Sequence, residues 1–169
     1  MQKAYPVGEN RLLQRTNAAD LARLQPHLKN FPMELGAVLH VAGASIKHVY
    51  FPLSGMVSLL AVMRTGEQIE TAIVGREGVV GASIGSAGSQ SAGQATVQIA
   101  GSAWRIEAPK FLDLYQESIP FRTLANATKS FASMSKRQFR RCPESRRLAA
   151  RGGVRALRLG GQLQKSADR

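Results

Sequence analysis

The chain has 169 residues, of which 44% are hydrophobic and 20% are charged. This hydrophobic fraction supports a packed core and excludes a wholly disordered chain. No apolar run reaches the roughly 20 residues that span a bilayer, and the N-terminal residues lack the apolar stretch of a secretory signal. The single cysteine, Cys142, allows neither an internal disulfide nor a cysteine-based metal cluster. These features predict a cytoplasmic protein without a membrane segment.

The net charge of +12 is unevenly distributed along the chain. Residues 1–121 hold ten Lys/Arg and nine Asp/Glu, whereas residues 122–169 hold thirteen Lys/Arg and two Asp/Glu. The chain therefore combines a nearly neutral body with a strongly basic C-terminal part. Any electrostatic attraction to nucleic acid concerns that C-terminal part alone.

A short helix is predicted after Asn17, a residue typical of a helix N-cap. Asp20 completes part of a capping box, and leucines recur at helical spacing over residues 21–28. Pro26 should end or kink this helix, because proline removes a backbone donor and clashes with the preceding turn.

Short β-rich runs follow between Phe31 and Ile106, and glycines interrupt them at intervals of about ten residues. Regular short strands with such turns favour a sandwich or barrel over a parallel α/β sheet. Residues 64–67 are typical of a hairpin turn. The predicted strands are Ala37–Val41, His48–Phe51, Met56–Met63, Gln68–Val74, Ala95–Ile99 and Ser102–Ile106.

Helices are predicted to return after Ala108. Pro109 suits a first helical position, and Phe111, Leu112 and Tyr115 should face inward. A second helix is predicted from about Pro120, with apolar residues at spacings of three and seven. These residues are Phe121, Leu124, Phe131 and Met134. Spacing alone leaves open whether this helix packs on the β domain or pairs two subunits.

Spaced glycines and apolar residues recur in a set of stretches between residues 10 and 135. These stretches are NRLLQRTNAADLARLQPHL, GAVLH, VYF, GMVSL, VGREGVVG and GSAWRI. Together they resemble the N-terminal cyclic-nucleotide-binding-type sensor domain of Crp/Fnr transcription regulators. The resemblance implies a mainly β fold with flanking helices, namely a β-roll or double-stranded jelly-roll barrel.

The same resemblance implies a domain organisation. The sensor domain would occupy residues 10–118, a dimerisation helix residues 119–139 and a basic, poorly ordered tail residues 140–169. A homodimer would form through the helix after Pro120. Family members then carry a winged helix-turn-helix domain of about seventy residues, and the roughly thirty remaining residues show no such pattern. We therefore expect the DNA-reading domain to be truncated and specific DNA binding to be lost.

The resemblance also points to a ligand site. In nucleotide-binding members, a helix N-terminus and an arginine hold the cyclic phosphate, and a glutamate binds the ribose. Ala82 stands at the glutamate position, Gln94 lies nearest the arginine position, and no Lys or Arg occurs between Arg76 and Arg105. The candidate ligand-binding residues are Gly81, Ala82, Ser83, Gln94, Ala95 and Thr96.

A cyclic phosphate buried among these residues would lack a cationic partner. Tight binding of cAMP is therefore not expected, and the sequence identifies neither the small-molecule effector nor any cofactor. The alternative is that residues 81–96 form a soft Gly/Ser/Ala loop between two strands.

Other chemistry has little support in the sequence. His27, His40 and His48 lie on separate elements without a paired carboxylate or cysteine, so they are interpreted as packing or surface residues and not as metal ligands. Dinucleotide, P-loop and hydrolase motifs are absent, and no enzyme is predicted.

The basic tail allows a second function. Its arginines, among them Arg140, Arg141, Arg146 and Arg147, would attract nucleic-acid phosphates without sequence preference. The alternative is an unselected basic appendage, which the scarcity of interleaved aromatic residues favours. The main prediction is thus a regulatory sensor domain, and the competing one is a non-specific nucleic-acid-binding protein.

Overall fold

The computed structural model describes residues 10–62 and 68–127. In the part described, short helices flank seven strands. In chain order the elements are α1 (Arg11–Arg15), α2 (Ala18–Leu24), a 3-10 turn (Gln25–His27), β1 (Lys29–Met33), β2 (Val38–His40), β3 (His48–Pro52), β4 (Met56–Val62), β5 (Gln68–Val74), α3 (Ile84–Ala87), β6 (Gln94–Ile99), β7 (Gly101–Glu107), α4 (Ala108–Glu117) and α5 (119–127).

The strands form two antiparallel sheets. One has the order β1-β7-β3 and the other the order β2-β6-β4-β5. Both orders join strands that are far apart in sequence, as a jelly roll requires. The prediction of a mainly β fold with flanking helices is confirmed.

Two hydrophobic cores lie on opposite sides of the three-stranded sheet. Val49 and Phe51 belong to the core beneath the helices, whereas Tyr50 belongs to the core between the two sheets, because alternate side chains of a strand face opposite ways. We call the second core the roll interior. Its buried residues are Met33, Tyr50, Val57, Val74, Val80, Ala95, Val97 and Ala103.

Local signals in the sequence placed most elements correctly. The Asn17 side chain accepts a hydrogen bond from the Asp20 amide at 2.8 Å, as expected for an N-cap. Helix α2 ends at Leu24, and Pro26 lies in the 3-10 turn that follows. Helix α4 starts with Ala108 and Pro109 and buries Phe111 and Tyr115.

Strand β1 and helices α1 and α3 were not predicted. Strand β1 has the sequence KNFPM, and its proline and asparagine disfavour a strand. Pro32 is tolerated because β1 is an edge strand that pairs only with β7, so the missing backbone N–H of the proline costs little. Helix α1 depends on Asn10, whose side chain accepts from the amides of Leu12 and Leu13 at 3.0 and 3.1 Å.

Asn10 also positions the turn that precedes the candidate site. Its Nδ2 donates to the carbonyls of Pro52 and Gly78 at 2.9 and 3.0 Å, and the side chain is fully buried. The neighbouring Arg11 amide donates to the Arg76 carbonyl at 2.8 Å. The N-terminal helix is thereby joined to the end of β3 and to the turn at residues 75–78.

Several predictions lie outside the described residues. They are the end of the third predicted strand at Met63, the hairpin turn at residues 64–67, and the part of the predicted dimerisation helix beyond residue 127. The basic tail at residues 140–169, with its arginines, lies outside them as well. Within α5, Phe121 is buried in the core beneath the helices and Leu124 is half-buried against it.

Candidate ligand site

The segment between β5 and β6 is built into the domain by its backbone. Val80 exchanges two backbone hydrogen bonds with Tyr50, at 2.9 and 2.8 Å. Further along, Ser89 and Ser91 form backbone hydrogen bonds with the loop at residues 43–46. Helix α3 lies between these anchors, so residues 81–93 contain a defined element instead of forming a simple linker.

Gly81 adopts a conformation that favours glycine, with φ of +93°. A Cβ at this position would lie 2.6 Å from Cε1 of His40 and 3.1 Å from the carbonyl oxygen of His48. The imidazole ring of His40 therefore covers the backbone of Gly81, and no side chain fits between them.

His40 is held in this position by burial and by one hydrogen bond. Its Nε2 donates to the His48 carbonyl oxygen at 2.8 Å, and the side chain is nearly buried. Burial lowers the pKa of His40; the bond to the His48 carbonyl raises it and the charge of His48 lowers it further. At neutral pH the ring is therefore uncharged and supplies no cation beside Gly81.

The predicted residues on β6 face different ways. Ala95 and Val97 point into the roll interior, whereas the side chains of Gln94 and Thr96 lie on the opposite, outer face. There Nε2 of Gln94 donates to Oγ1 of Thr96 at 3.1 Å, and Thr96 lies opposite Ser58 of β4. Gln94 and Thr96 are therefore separated by the sheet from Gly81 and Ala95.

Ala82 and Ser83 complete the predicted set. Ala82 is buried in the core beneath the helices. Ser83 is half-buried before α3 and makes no side-chain capping bond. Of the six predicted residues, the structure places Ala95 in the roll interior and Gly81 against His40. A ligand-binding role for the set remains a prediction.

Helix α3 connects this segment to the C-terminal helices. A Cβ at Gly85 would lie 2.6 Å from the Tyr115 ring, so α3 packs directly on that ring. The Tyr115 hydroxyl donates to Oδ1 of Asn126 on α5 at 2.8 Å. A movement of residues 81–87 would therefore change the packing against Tyr115 of α4 and, through its hydrogen bond to Asn126, the contact with α5.

A group of side chains at one end of the roll interior was not predicted from the sequence. Arg105 of β7 lies opposite Lys29 of β1 and Tyr50 of β3. Its guanidinium lies 5.0 Å from the centre of the Phe31 ring, which is 5.3 Å from that of Tyr50. The alternation of Ala103 and Arg105 along β7 was the available signal, but cross-strand pairing was needed to use it.

The described residues contain no group of three or more His, Cys, Asp or Glu side chains that could hold a metal ion. Over the same residues, no helix has the length and apolar character needed to cross a membrane.

Comparisons with known proteins agree with this architecture. The sensor domain of the transcriptional regulator DNR from Pseudomonas aeruginosa superposes with a TM-score of 0.56 at 17% identity, over 77% of this chain and 84% of that one. A mutant of CooA from Carboxydothermus hydrogenoformans superposes with a TM-score of 0.61 at 12% identity, over 89% and 98% of the two chains.

A third similar structure is CLP from Xanthomonas campestris, described as a c-di-GMP responsive global regulator. Its TM-score is 0.61 at 15% identity, and the match covers 79% of this chain but only 65% of CLP. At these identities the similarity shows the fold alone, and it confirms the predicted β-roll of Crp/Fnr-type sensor domains. A search of curated proteins found no significant match.

A sequence profile of one family matches the chain directly. It is described as "Cyclic nucleotide-binding domain" and matches residues 32–118, just over half of the chain. That range runs from β1 to the end of α4 and includes both sheets and the candidate segment. The chain belongs to the cyclic nucleotide-binding domain family.

Proposed function

We propose that this chain is the ligand-sensing part of a cytoplasmic Crp/Fnr-type transcription regulator, and that cAMP is not its tight effector. The family domain supports the sensing role. The similar structures support the regulatory one, because CLP and DNR are described as regulators.

The chemistry around Gly81 carries the proposal on cAMP. The neutral ring of His40 covers Gly81, Ala82 is buried without a polar side chain, and Gln94 lies on the outer face of its sheet. A cyclic phosphate placed at residues 81–83 would lose its hydration without gaining a cation from this segment.

The test is isothermal titration of the whole chain with cAMP. We expect a Kd no tighter than about 1 mM, which corresponds to roughly −4 kcal/mol of binding free energy. Gln94→Arg is expected to leave this value unchanged, because the new guanidinium would join the outer face beside Thr96. Gln98→Arg is the matched control, since Gln98 bonds to Glu70 on that face.

Two results would contradict this reasoning. Micromolar binding of cAMP to the wild-type chain would show that backbone donors suffice to hold the phosphate. Micromolar binding gained by Gln94→Arg but not by Gln98→Arg would show that position 94 reaches the ligand.

The sensing role and the homodimer are tested together by native mass spectrometry of protein purified from its host. We expect a dimer that carries a small molecule. The helix predicted after Pro120 would form the dimer contact, and Ile119 at the start of α5 is exposed. An empty monomer would refute both the sensing role and the dimer.

The second candidate function, non-specific binding of nucleic acid, is favoured by the concentration of thirteen Lys/Arg in residues 122–169. Binding through these side chains would weaken steeply with added salt, because each phosphate contact releases counterions. A filter-binding assay on the whole chain and on a variant ending at Gln138 tests this function. Affinity that survives the truncation would exclude the tail as the binding element.

A further inference from the structure

The roll interior ends in a group of cationic and aromatic side chains that no known site of this chain explains. We call this group the mouth cluster; it consists of Lys29, Phe31, His48, Tyr50 and Arg105. All five lie on the three-stranded sheet, at the end where β7 runs into α4.

Strand register places the cluster on the interior side of the sheet. Ala103 and Tyr50 are buried in the roll interior. Arg105 follows Ala103 by two residues and lies opposite both Tyr50 and Lys29. Because residues two apart on a strand share a face, the Arg105 side chain points to the same side as Ala103.

Arg105 is a half-buried cation without an ionic partner in the described part of the chain. Its guanidinium stacks on Phe31, and no described carboxylate forms an ion pair with it. The nearby Glu107 carboxylate lies 3.8 Å from Nζ of Lys29 instead. Charges withdrawn from water are normally paired, so the Arg105 guanidinium retains the capacity to bind an anion.

The charge around the cluster is predominantly positive. Partial burial lowers the pKa of His48 first, and the positive charge of Arg105 lowers it further. Lys47 and Lys29 act in the same direction, and only Glu107 opposes them. Three cations and one carboxylate thus act on His48 at this end of the sheet.

We propose that the mouth cluster binds a small organic anion that carries a planar ring. Arg105 and Lys29 take the anionic group, and the ring packs against Phe31, next to Tyr50. This inference rests on the proposed sensing function. Residues 77–104 contain no Lys or Arg, and in this proposal Arg105 of β7 supplies the cation for the ligand.

The cluster is also connected to the candidate segment. His40 lies between the two, with its ring 5.7 Å from that of Tyr50 and against the backbone of Gly81. A ligand that displaces the Tyr50 ring would therefore also change the position of His40 and its contact with Gly81.

The shared chemistry, an anion on a flat ring, is found in aromatic carboxylates and in nucleotide phosphates. The experiment therefore titrates the whole chain with benzoate and with 5′-GMP, each up to about 5 mM at low salt, by calorimetry. We expect saturable binding of at least one probe, and its affinity should fall as salt is added. The probe that binds identifies the class of anion.

Arg105→Gln should weaken binding about tenfold or more, since it removes a charge-assisted bond to the anion. Lys29→Gln tests the exposed side of the cluster and should weaken binding by a smaller factor without risk to the fold. Arg122→Gln is the matched control, because it removes the same charge from another half-buried arginine, on α5. Its binding should equal that of the wild type.

Failure of both probes to bind the wild type, or equal binding by the Arg105→Gln and Arg122→Gln variants, would overturn the proposal. The outcome is separable from that of the proposed function. If protein from the host carries a small molecule that Arg105→Gln retains, sensing stands and this site is wrong. If the probes bind at Arg105 but the host protein is empty, the site stands and sensing is wrong.

Discussion

Replacement of Asn10 by alanine should destabilise the domain far more than the loss of an ordinary helix N-cap would. One side chain makes four hydrogen bonds at this site. Oδ1 accepts from the amides of Leu12 and Leu13, and Nδ2 donates to the carbonyls of Pro52 and Gly78. The side chain has no exposed surface, so water cannot replace these bonds without rearrangement.

The expected loss of unfolding free energy is the sum of what the oxygen and the nitrogen of the Asn10 side chain contribute. Loss of the N-cap costs about 1 kcal/mol. The two carbonyls each lose a buried donor, at about 1 kcal/mol apiece. Asn10→Ala should therefore lower the free energy of unfolding by about 3 kcal/mol. Asn17→Ala is the control, because Asn17 caps α2 from an exposed position and should cost only ~1 kcal/mol.

Urea unfolding, followed by circular dichroism and extrapolated to water, measures both values. The dependence on urea should be the same for the two variants, so that their midpoints can be compared directly. Equal losses for Asn10→Ala and Asn17→Ala would refute the argument. They would mean that the bonds to Pro52 and Gly78 add nothing to stability.

Two further predictions concern Gly81 and the His40 ring that covers it. Gly81→Ala should lower the free energy of unfolding by about 2–5 kcal/mol, because it combines an unfavourable φ with a clash against His40. Gly36 has a similar φ but open space around it, so Gly36→Ala should cost only ~1–2 kcal/mol in urea unfolding. Equal costs for the two variants would contradict the contact between Gly81 and His40. Because burial lowers the pKa of His40 below its usual 6.5, the unfolded chain takes up a proton that the native state resists, so stability is present above about pH 6.5 and falls below it. His48 acts in the same sense. From about pH 7.5 to about pH 5.5, the range in which histidine titrates, the free energy of unfolding should therefore fall less for His40→Gln than for the wild type or for the exposed His27→Gln. An equal fall in all three proteins would count against the buried neutral ring.

Much of the fold could be read from local patterns. The strand at Gln68–Val74 was predicted with its observed bounds, since alternation and turn residues act over a few positions. Pro109 marked the start of α4 for the same reason. Strand β1 escaped because its own residues disfavour a strand, and its pairing with β7 decides its structure.

The candidate site was only partly predictable. Family resemblance directed attention to Gly81 and Gln94, but a one-residue step along β6 separates the inner face from the outer one. Arg105 lies outside residues 77–104, and its neighbours in the mouth cluster come from β1 and β3, so its place near the roll interior depends on strand pairing.

The sequence by itself determined most of the elements, their order, the family and the lack of Lys and Arg over residues 77–104. These depend on short-range preferences, glycine spacing and composition, which can be read residue by residue. Only the tertiary structure decided that Asn10 reaches Gly78, that His40 covers Gly81, and that Arg105 faces Tyr50. Each of these contacts joins residues from different elements, and pairing between distant segments depends on the packing of the whole domain.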